Sequence, residues 1–426
     1  MLRLDHFKNK QPTNRHKKLS ITIGIIGSFL ISTIFIYTYI INPPLSDLPT
    51  INIITEDTLS YDNYVNCTFE LESTKDADNV ASMKSKIRLR GSGAGWNKYS
   101  PKKGYRIELS TQLSLLGLRK DDDWLLFSLY MDYPRTRVKL SMELWRNLQS
   151  TNPTAILPNS KYVCLYVDGE FQGLYLLAEK NDRKLFELDD AQNNLNTSLI
   201  FQAKQESNLG LYDYTAWQQD WPNEDEDIFV KDTILGELSN FIKNSTNDKF
   251  FSPTNGIYTK FSKENLIDFY IFNYFIDHQD FWNHNYFIVR NSYPEKFNLI
   301  PWDFDMSFGQ YIWKKYDVNV NRESEIRRLN GLYNRLLGNI SFREECKNRW
   351  FELREKIWAD EVIMNIISDI YEEIYPILEV DVNMWNMRSP ILFREERVND
   401  LDESIKYLYD WINERLGICD LYFSNM

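Results

Sequence analysis

Two periodicities divide the chain, and their order limits its fold more than any other feature. Between residues 51 and 177 the apolar residues fall in short, β-branched or alternating runs. These are Ile51–Thr55, Val65–Leu71, Ser85–Arg90, Gly104–Leu109, Tyr162–Val167 and Phe171–Leu177. Runs of this length between polar or glycine turns predict strands, and Asp168-Gly169 between the last two predicts a hairpin. A helical spacing interrupts them over 134–148, with Val138, Leu140, Met142, Leu144 and Trp145, and Leu199–Ala203 predicts one more strand. Residues 221–227 hold Pro222 and four acids and read as a solvated boundary. Beyond it the spacing turns helical: Lys231–Lys243, Ser262–Phe275, Ser324–Leu337, Ser341–Trp358, Val362–Leu378 and Asp402–Arg415. Tyr286–Arg290 and Lys296–Pro301 alone break that pattern as a β pair. Strands gathered ahead of helices predict a two-lobed α+β fold, β-rich over 42–220 and helical over 221–426.

A different signal stands at the N-terminus. Leu19 to Ile41 carries no charge over 23 residues, enough helix to cross a hydrocarbon core of about 30 Å. Six basic residues precede it against Asp5 alone, and Asn42-Pro43-Pro44 follows. The expectation is a basic cytoplasmic tail (1–18), one transmembrane helix (19–41), and residues 42–426 on the far side of the membrane. A cleaved signal peptide is the competing reading; its apolar region is shorter and ends in small residues.

The net charge of −12 argues against a nucleic-acid partner. An apolar share of 43%, with 15% aromatic residues, excludes a disordered chain. The four cysteines, Cys67, Cys164, Cys346 and Cys419, show no C-x-x-C spacing. That argues against zinc and leaves room for one or two disulfides.

Four stretches carry chemistry. Arg90-Gly91-Ser92-Gly93-Ala94-Gly95 lies between two strands, where glycines let backbone N–H groups approach an anion; a plain hairpin tip has the same composition. In Lys102-Lys103-Gly104-Tyr105-Arg106-Ile107-Glu108-Leu109, strand alternation groups Lys103 with Tyr105, Ile107 and Leu109 and sends Lys102 to solvent. A lysine on that face needs an anion, such as a phosphate. Glu143 is the only acid in the helix that follows; it suits Lys103 and equally suits Lys139 one turn back. Last, Asp277-His278-Gln279-Asp280-Phe281-Trp282-Asn283-His284-Asn285 runs into the β pair, which ends in Asp303-Phe304-Asp305. Carboxylate and amide oxygens are hard ligands for Mg²⁺ or Mn²⁺. An Asp, an Asn five residues on and an Asp after the next hairpin is the layout of a kinase catalytic loop and metal loop.

Together these stretches resemble the CotH family of spore-coat-protein-H-like kinases. The likeness lies in IRLRGSGAGWNKYSPKKGYRIEL (87–109), DWLLFSLY (123–130), the helix Arg137–Leu148, YVCLYVDGEFQGLYLLAEK (162–180), DFWNHNYFIVR (280–290) and KFNLIPWDFDMSFG (296–309). The resemblance implies an atypical protein-kinase-like fold and transfer of phosphate from ATP to Ser or Thr of proteins, with Mg²⁺ or Mn²⁺. It implies Asp280 as catalytic base and Asn285, Asp303 and Asp305 at the metal. Arg90, Gly91, Gly93, Lys103 and Glu143 would serve the nucleotide. Ser92 stands where the family usually has Asn, and nothing in 310–426 matches. Two rival expectations remain: a surface adhesin or pseudokinase, and a metal-dependent glycosyltransferase using Asp303-x-Asp305. The latter needs a βαβ unit that the hairpins do not offer.

Overall fold

The computed structural model describes residues 47–91, 100–279, 282–312, 318–385, 392–393 and 401–426. Seven strands come first: β1 (Thr50–Thr55), β2 (Val65–Glu72), β3 (Val80–Leu89), β4 (Tyr105–Ser114), β5 (Lys120–Phe127), β6 (Ser160–Val167) and β7 (Glu170–Glu179). They close into a barrel in the order β1-β2-β3-β4-β5-β7-β6. β1 seals it by pairing parallel to β6, Thr50 opposite Cys164, so no edge stays open. The alternation read from the sequence fills the inside: Ile51, Ile53, Phe69, Ile107, Leu109, Trp124, Leu126 and Leu177 are buried there. Each such side chain contributes roughly 1.5–3 kcal/mol on burial. At the β6–β7 hairpin Asp168 and Gly169 both take positive φ, 53° and 79°, as an Asp-Gly turn requires.

β5 and β7 are apolar on both faces, because their outer side chains meet a second core. Leu125, Phe127, Leu174 and Leu176 join the helices there. α1 (Arg137–Asn147) sits between β5 and β6 in the chain. A second sheet follows in the order β11-β10-β8-β9, from β8 (Leu199–Ala203), β9 (Trp217–Trp221), β10 (Tyr286–Arg290) and β11 (Asn298–Pro301). The longer helices are α2 (Lys231–Asn244), α3 (Lys263–Phe275), α4 (Ile340–Glu355), α5 (Asp360–Met384) and α6 (Leu401–Ser424). α3 is buried over nearly its whole length, the mark of a helix apolar all round. Its Ser262 cap accepts from the Asn265 N–H.

Several expectations are corrected. No helix among the described residues is long and apolar enough to cross a membrane. The transmembrane helix ahead of the fold, and with it the single-pass membrane localisation and membrane partner, is therefore not supported. Residues 19–41, on which it was placed, lie outside the described residues. The lobe boundary expected at 221 is crossed by hydrogen bonds: β8 and β9 precede it, and β8 pairs with β10 beyond it, Ile288 opposite Phe201. The barrel itself ends at Glu179. The helix expected over 324–337 is two short ones, because the Asn330 side chain caps Leu332 and Tyr333 and restarts the helix. All four cysteines are buried, and none forms a disulfide.

Candidate functional site

A cavity of about 1260 Å³ lies between the outer face of β3–β4–β5 and the loops at the end of the second sheet. It exceeds the roughly 300–1,000 Å³ of common small-molecule sites. Strand alternation decides which barrel residues face it. Tyr105, Ile107 and Leu109 point into the barrel, so Arg106 points out, opposite Arg88 on the neighbouring strand. Arg88, Arg90 and Arg106 thus share one wall of the cleft with Asp123, Leu125 and Phe127.

Arg90 is held there by several contacts. Its N–H donates to the Gly104 carbonyl (2.8 Å). Its guanidinium lies 4.0 Å from the Phe127 ring centre and 5.9 Å from that of Trp302, a cation–π clamp. Burial pulls its pKa down, while the nearby carboxylates of Asp303 and Asp305 pull it up. Burial and the neighbouring Arg88 lower that of Arg106, against Asp220 and Asp123. Arg106 Nε is buried without a hydrogen-bond partner.

The opposite wall is built by the β10–β11 hairpin. Tyr286 pairs with Pro301, and the Trp302 N–H donates to the Asn285 carbonyl (2.9 Å). Asn285 and Asp303, eighteen positions apart in sequence, therefore leave the same end of the hairpin. Asp303 is fixed further by His278, whose Nε2–H donates to its carbonyl (2.6 Å). The Gln279 N–H bonds Met306 O and the Phe308 N–H bonds Ile276 O, stitching the Asp-x-Asp loop to the end of α3. Arg137 of α1 donates to the Phe308 carbonyl (3.3 Å) from the barrel side.

Four non-glycine residues of this loop pair are left-handed: Asp277 (φ 48°), Asn285 (59°), Asp303 (64°) and Phe308 (47°). Each such residue costs of order 1 kcal/mol or more, and such strain gathers at functional sites.

Of the sequence-predicted residues, Arg90, Gly91, Asn285, Asp303 and Asp305 line this one cleft. Gly93 and Asp280 lie outside the described residues. Lys103 is elsewhere: it is half-buried, its ammonium is 5.8 Å from the Tyr61 ring centre, and its carbonyl accepts from Tyr175. Glu143 pairs with Lys139 (2.7 Å) and Arg146 (3.6 Å) along its own helix. Lys102, expected to face solvent, is instead buried, with Nζ 2.6 Å from Asp381 and 2.6 Å from the Leu174 carbonyl. Both lysines precede β4, so its alternation does not govern them. Asp277, an acid close to Asp280, is buried and paired with Arg322 (2.7 Å). Sequence reasoning missed Arg106 and Lys180, which also line the cleft. The alternation that buries Tyr105 and Ile107 was the signal for Arg106.

Two carboxylates, Asp303 and Asp305, and the Asn285 amide oxygen are the hard donors that Mg²⁺ or Mn²⁺ prefers. Among the described residues no cluster of three or more His, Cys, Asp or Glu gathers at metal distance, so the fit rests on two acids with one amide.

The chain is 25% identical over 294 residues to inner spore coat protein H of Bacillus subtilis (strain 168), covering 66% of this chain and 74% of that protein. Among solved structures it is similar to the Helicobacter pylori proinflammatory kinase CtkA, at 10% identity and TM-score 0.25, over 75% of this chain and 94% of that one. It is also similar to the Golgi casein kinase with Mn/ADP bound, at 8% identity and TM-score 0.28, over 91% and 76%. The model of the CotH kinase protein family matches residues 87–419, so the likeness continues past residue 309, where the motifs read from the sequence ended; the match spans most of the chain, and the protein therefore belongs to the CotH kinase protein family.

Proposed function

We propose that this chain is a protein kinase that transfers the γ-phosphoryl group of ATP to a Ser or Thr hydroxyl of another protein. The observation that supports the reading best is the meeting of Arg90 and Arg106 with Asn285, Asp303 and Asp305 in one cleft. Cations on one wall and hard oxygen donors on the other match a triphosphate between them. Phosphoryl transfer asks the protein mainly for positioning and charge stabilisation.

Arg90 and Arg106 hold phosphate oxygens, with Gly91 and Gly93 letting the backbone approach. Lys103 and Glu143 are engaged with Tyr61 and Lys139 and take no part in this contact. Asn285, Asp303 and Asp305 would hold Mg²⁺ or Mn²⁺, which supplies neutralisation of phosphate charge. The acceptor oxygen forms a bond to the γ-phosphorus as the bond to the β-γ bridging oxygen breaks. ADP leaves, and the acceptor's proton passes to the Asp280 carboxylate.

Calorimetric titration of ATP with Mg²⁺ or Mn²⁺ tests the division of labour. Asp303→Asn should weaken metal-dependent ATP binding about tenfold or more, whereas Asp280→Asn should bind ATP as the wild type does. Absence of ATP binding by the wild type with either metal sinks the reading.

A further inference from the structure

The chain leaves β7 and crosses to the second sheet through residues 180–198. At its start stands Asn181, which lines the cleft and is 9% exposed. Both of its amide atoms, Oδ1 and Nδ2, are buried without a hydrogen-bond partner. Leaving one such group unsatisfied costs about 1–3 kcal/mol. Its neighbours, by contrast, are tied down. Arg119 donates to the Lys180 carbonyl (3.0 Å) and to Asp182 Oδ1 (3.0 Å), straddling Asn181. Lys180 Nζ pairs with Asp123 (2.9 Å), and Asp182 also accepts the Leu185 N–H (3.0 Å). The backbone that carries Asn181 is thus fixed while the amide is kept open. Leu125, Leu188 and Ile200 line the same cleft and give it apolar walls.

An amide whose NH₂ and carbonyl oxygen are both unused, in a cleft with apolar walls, is complementary to a flat ring that presents an acceptor next to a donor. Adenine presents its N6 amino group next to a ring nitrogen, and Asn is a known bidentate partner of that edge. We infer that Asn181 reads the adenine base of the nucleotide, its Oδ1 accepting from N6–H and its Nδ2 donating to the adjacent ring nitrogen. This rests on the nucleotide reading above and adds the residue that makes the site adenine-selective. It also accounts for an amide that stability alone would replace with an apolar side chain.

The test is a titration of wild type and Asn181→Leu with ATP, purine riboside triphosphate (which lacks only the N6 amino group) and inorganic tripolyphosphate, all with Mg²⁺. The wild type should bind ATP roughly tenfold or more tighter than the purine analogue. Asn181→Leu should bind the two equally, keep the wild-type affinity for tripolyphosphate, and melt no lower than the wild type, since an orphaned amide has been removed. Should the leucine variant fold poorly, Asn181→Ala carries the same comparison. Wild-type protein that binds ATP and the analogue equally, or a variant that still prefers ATP, overturns the role of Asn181 while tripolyphosphate binding leaves the phosphate site standing. Failure of ATP and tripolyphosphate alike to bind overturns both.

Discussion

Arg106 shows how a single side chain's direction decides a site. The residues on either side of it, Tyr105 and Ile107, are buried inside the barrel, and the pleat then commits Arg106 to the cleft. Its Nε lacks a partner, and Arg88 opposite repels it, so the free protein holds positive charge that an anion would relieve. Arg106→Gln should weaken ATP binding about tenfold, a partly desolvated charge-assisted contact, and leave adenosine binding unchanged. An equal loss for adenosine would show that the change damaged the fold of the wall instead. The regular alternation from Tyr105 to Leu109 sets Arg106 on the face opposite theirs, but which of the two faces meets the cleft is decided only by the closed barrel. That alternation is no guide for Lys102 and Lys103, which lie just before the strand, where turn geometry and a distant partner set their directions.

That distant partner belongs to an element of the helical half. Asp381 on α5 accepts from Lys102 (2.6 Å), Arg135 Nε (2.7 Å) and the Leu174 N–H (2.8 Å), all of them buried. Gly173 makes the approach feasible: its φ is +92°, and a Cβ there would lie 2.1 Å from Asp381 Oδ1. α5 is thereby latched to β7 and to the stem that follows the glycine-rich turn. Two cations overcome the effect of burial and hold the Asp381 carboxyl below its usual 3.8. A lowered carboxyl pKa means the ionised form stabilises the fold. That contribution is whole above about pH 4 and is lost as the pH falls through the native value. Asp381→Asn leaves two buried cations short of an anion and should cost about 3–5 kcal/mol in urea unfolding at neutral pH. Its deficit relative to the wild type should shrink in strong acid. A cost under about 1 kcal/mol would mean that the latch is not structural. Lys102 and Asp381 are 279 positions apart, and no local pattern announces such a pair.

At the scale of the whole molecule, what was legible and what was not divide along the same line. Local order came through: the Asp168-Gly169 hairpin, the strands from Ile51 to Leu109 and from Tyr162 to Leu177, and helices α2 and α3 follow from periodicity and turn chemistry, whereas β5, with three acids ahead of its apolar end, was not read as a strand. Closure of the barrel did not, because it depends on β1 lying parallel to β6 more than a hundred residues away. Nor did the sheet that joins β8 to β10 across the acidic stretch at 221–227. The candidate site was legible at Arg90, Asn285, Asp303 and Asp305, whose residue types and spacing carry the chemistry. Arg106 and Asn181 were not picked out, since one required the barrel's inside to be known and the other is notable only for bonds it lacks.

The most direct measurement is phosphate transfer from γ-labelled ATP to Ser or Thr of an acceptor protein, with Mg²⁺ or Mn²⁺ supplied, by the wild type, Asp280→Asn and Asp303→Asn. Metal-dependent label on Ser or Thr is expected with the wild type, falling by about 10²-fold or more in both variants, while both variants melt as the wild type does. No transfer by a wild type that binds ATP, or undiminished transfer by either variant, would contradict the proposed function.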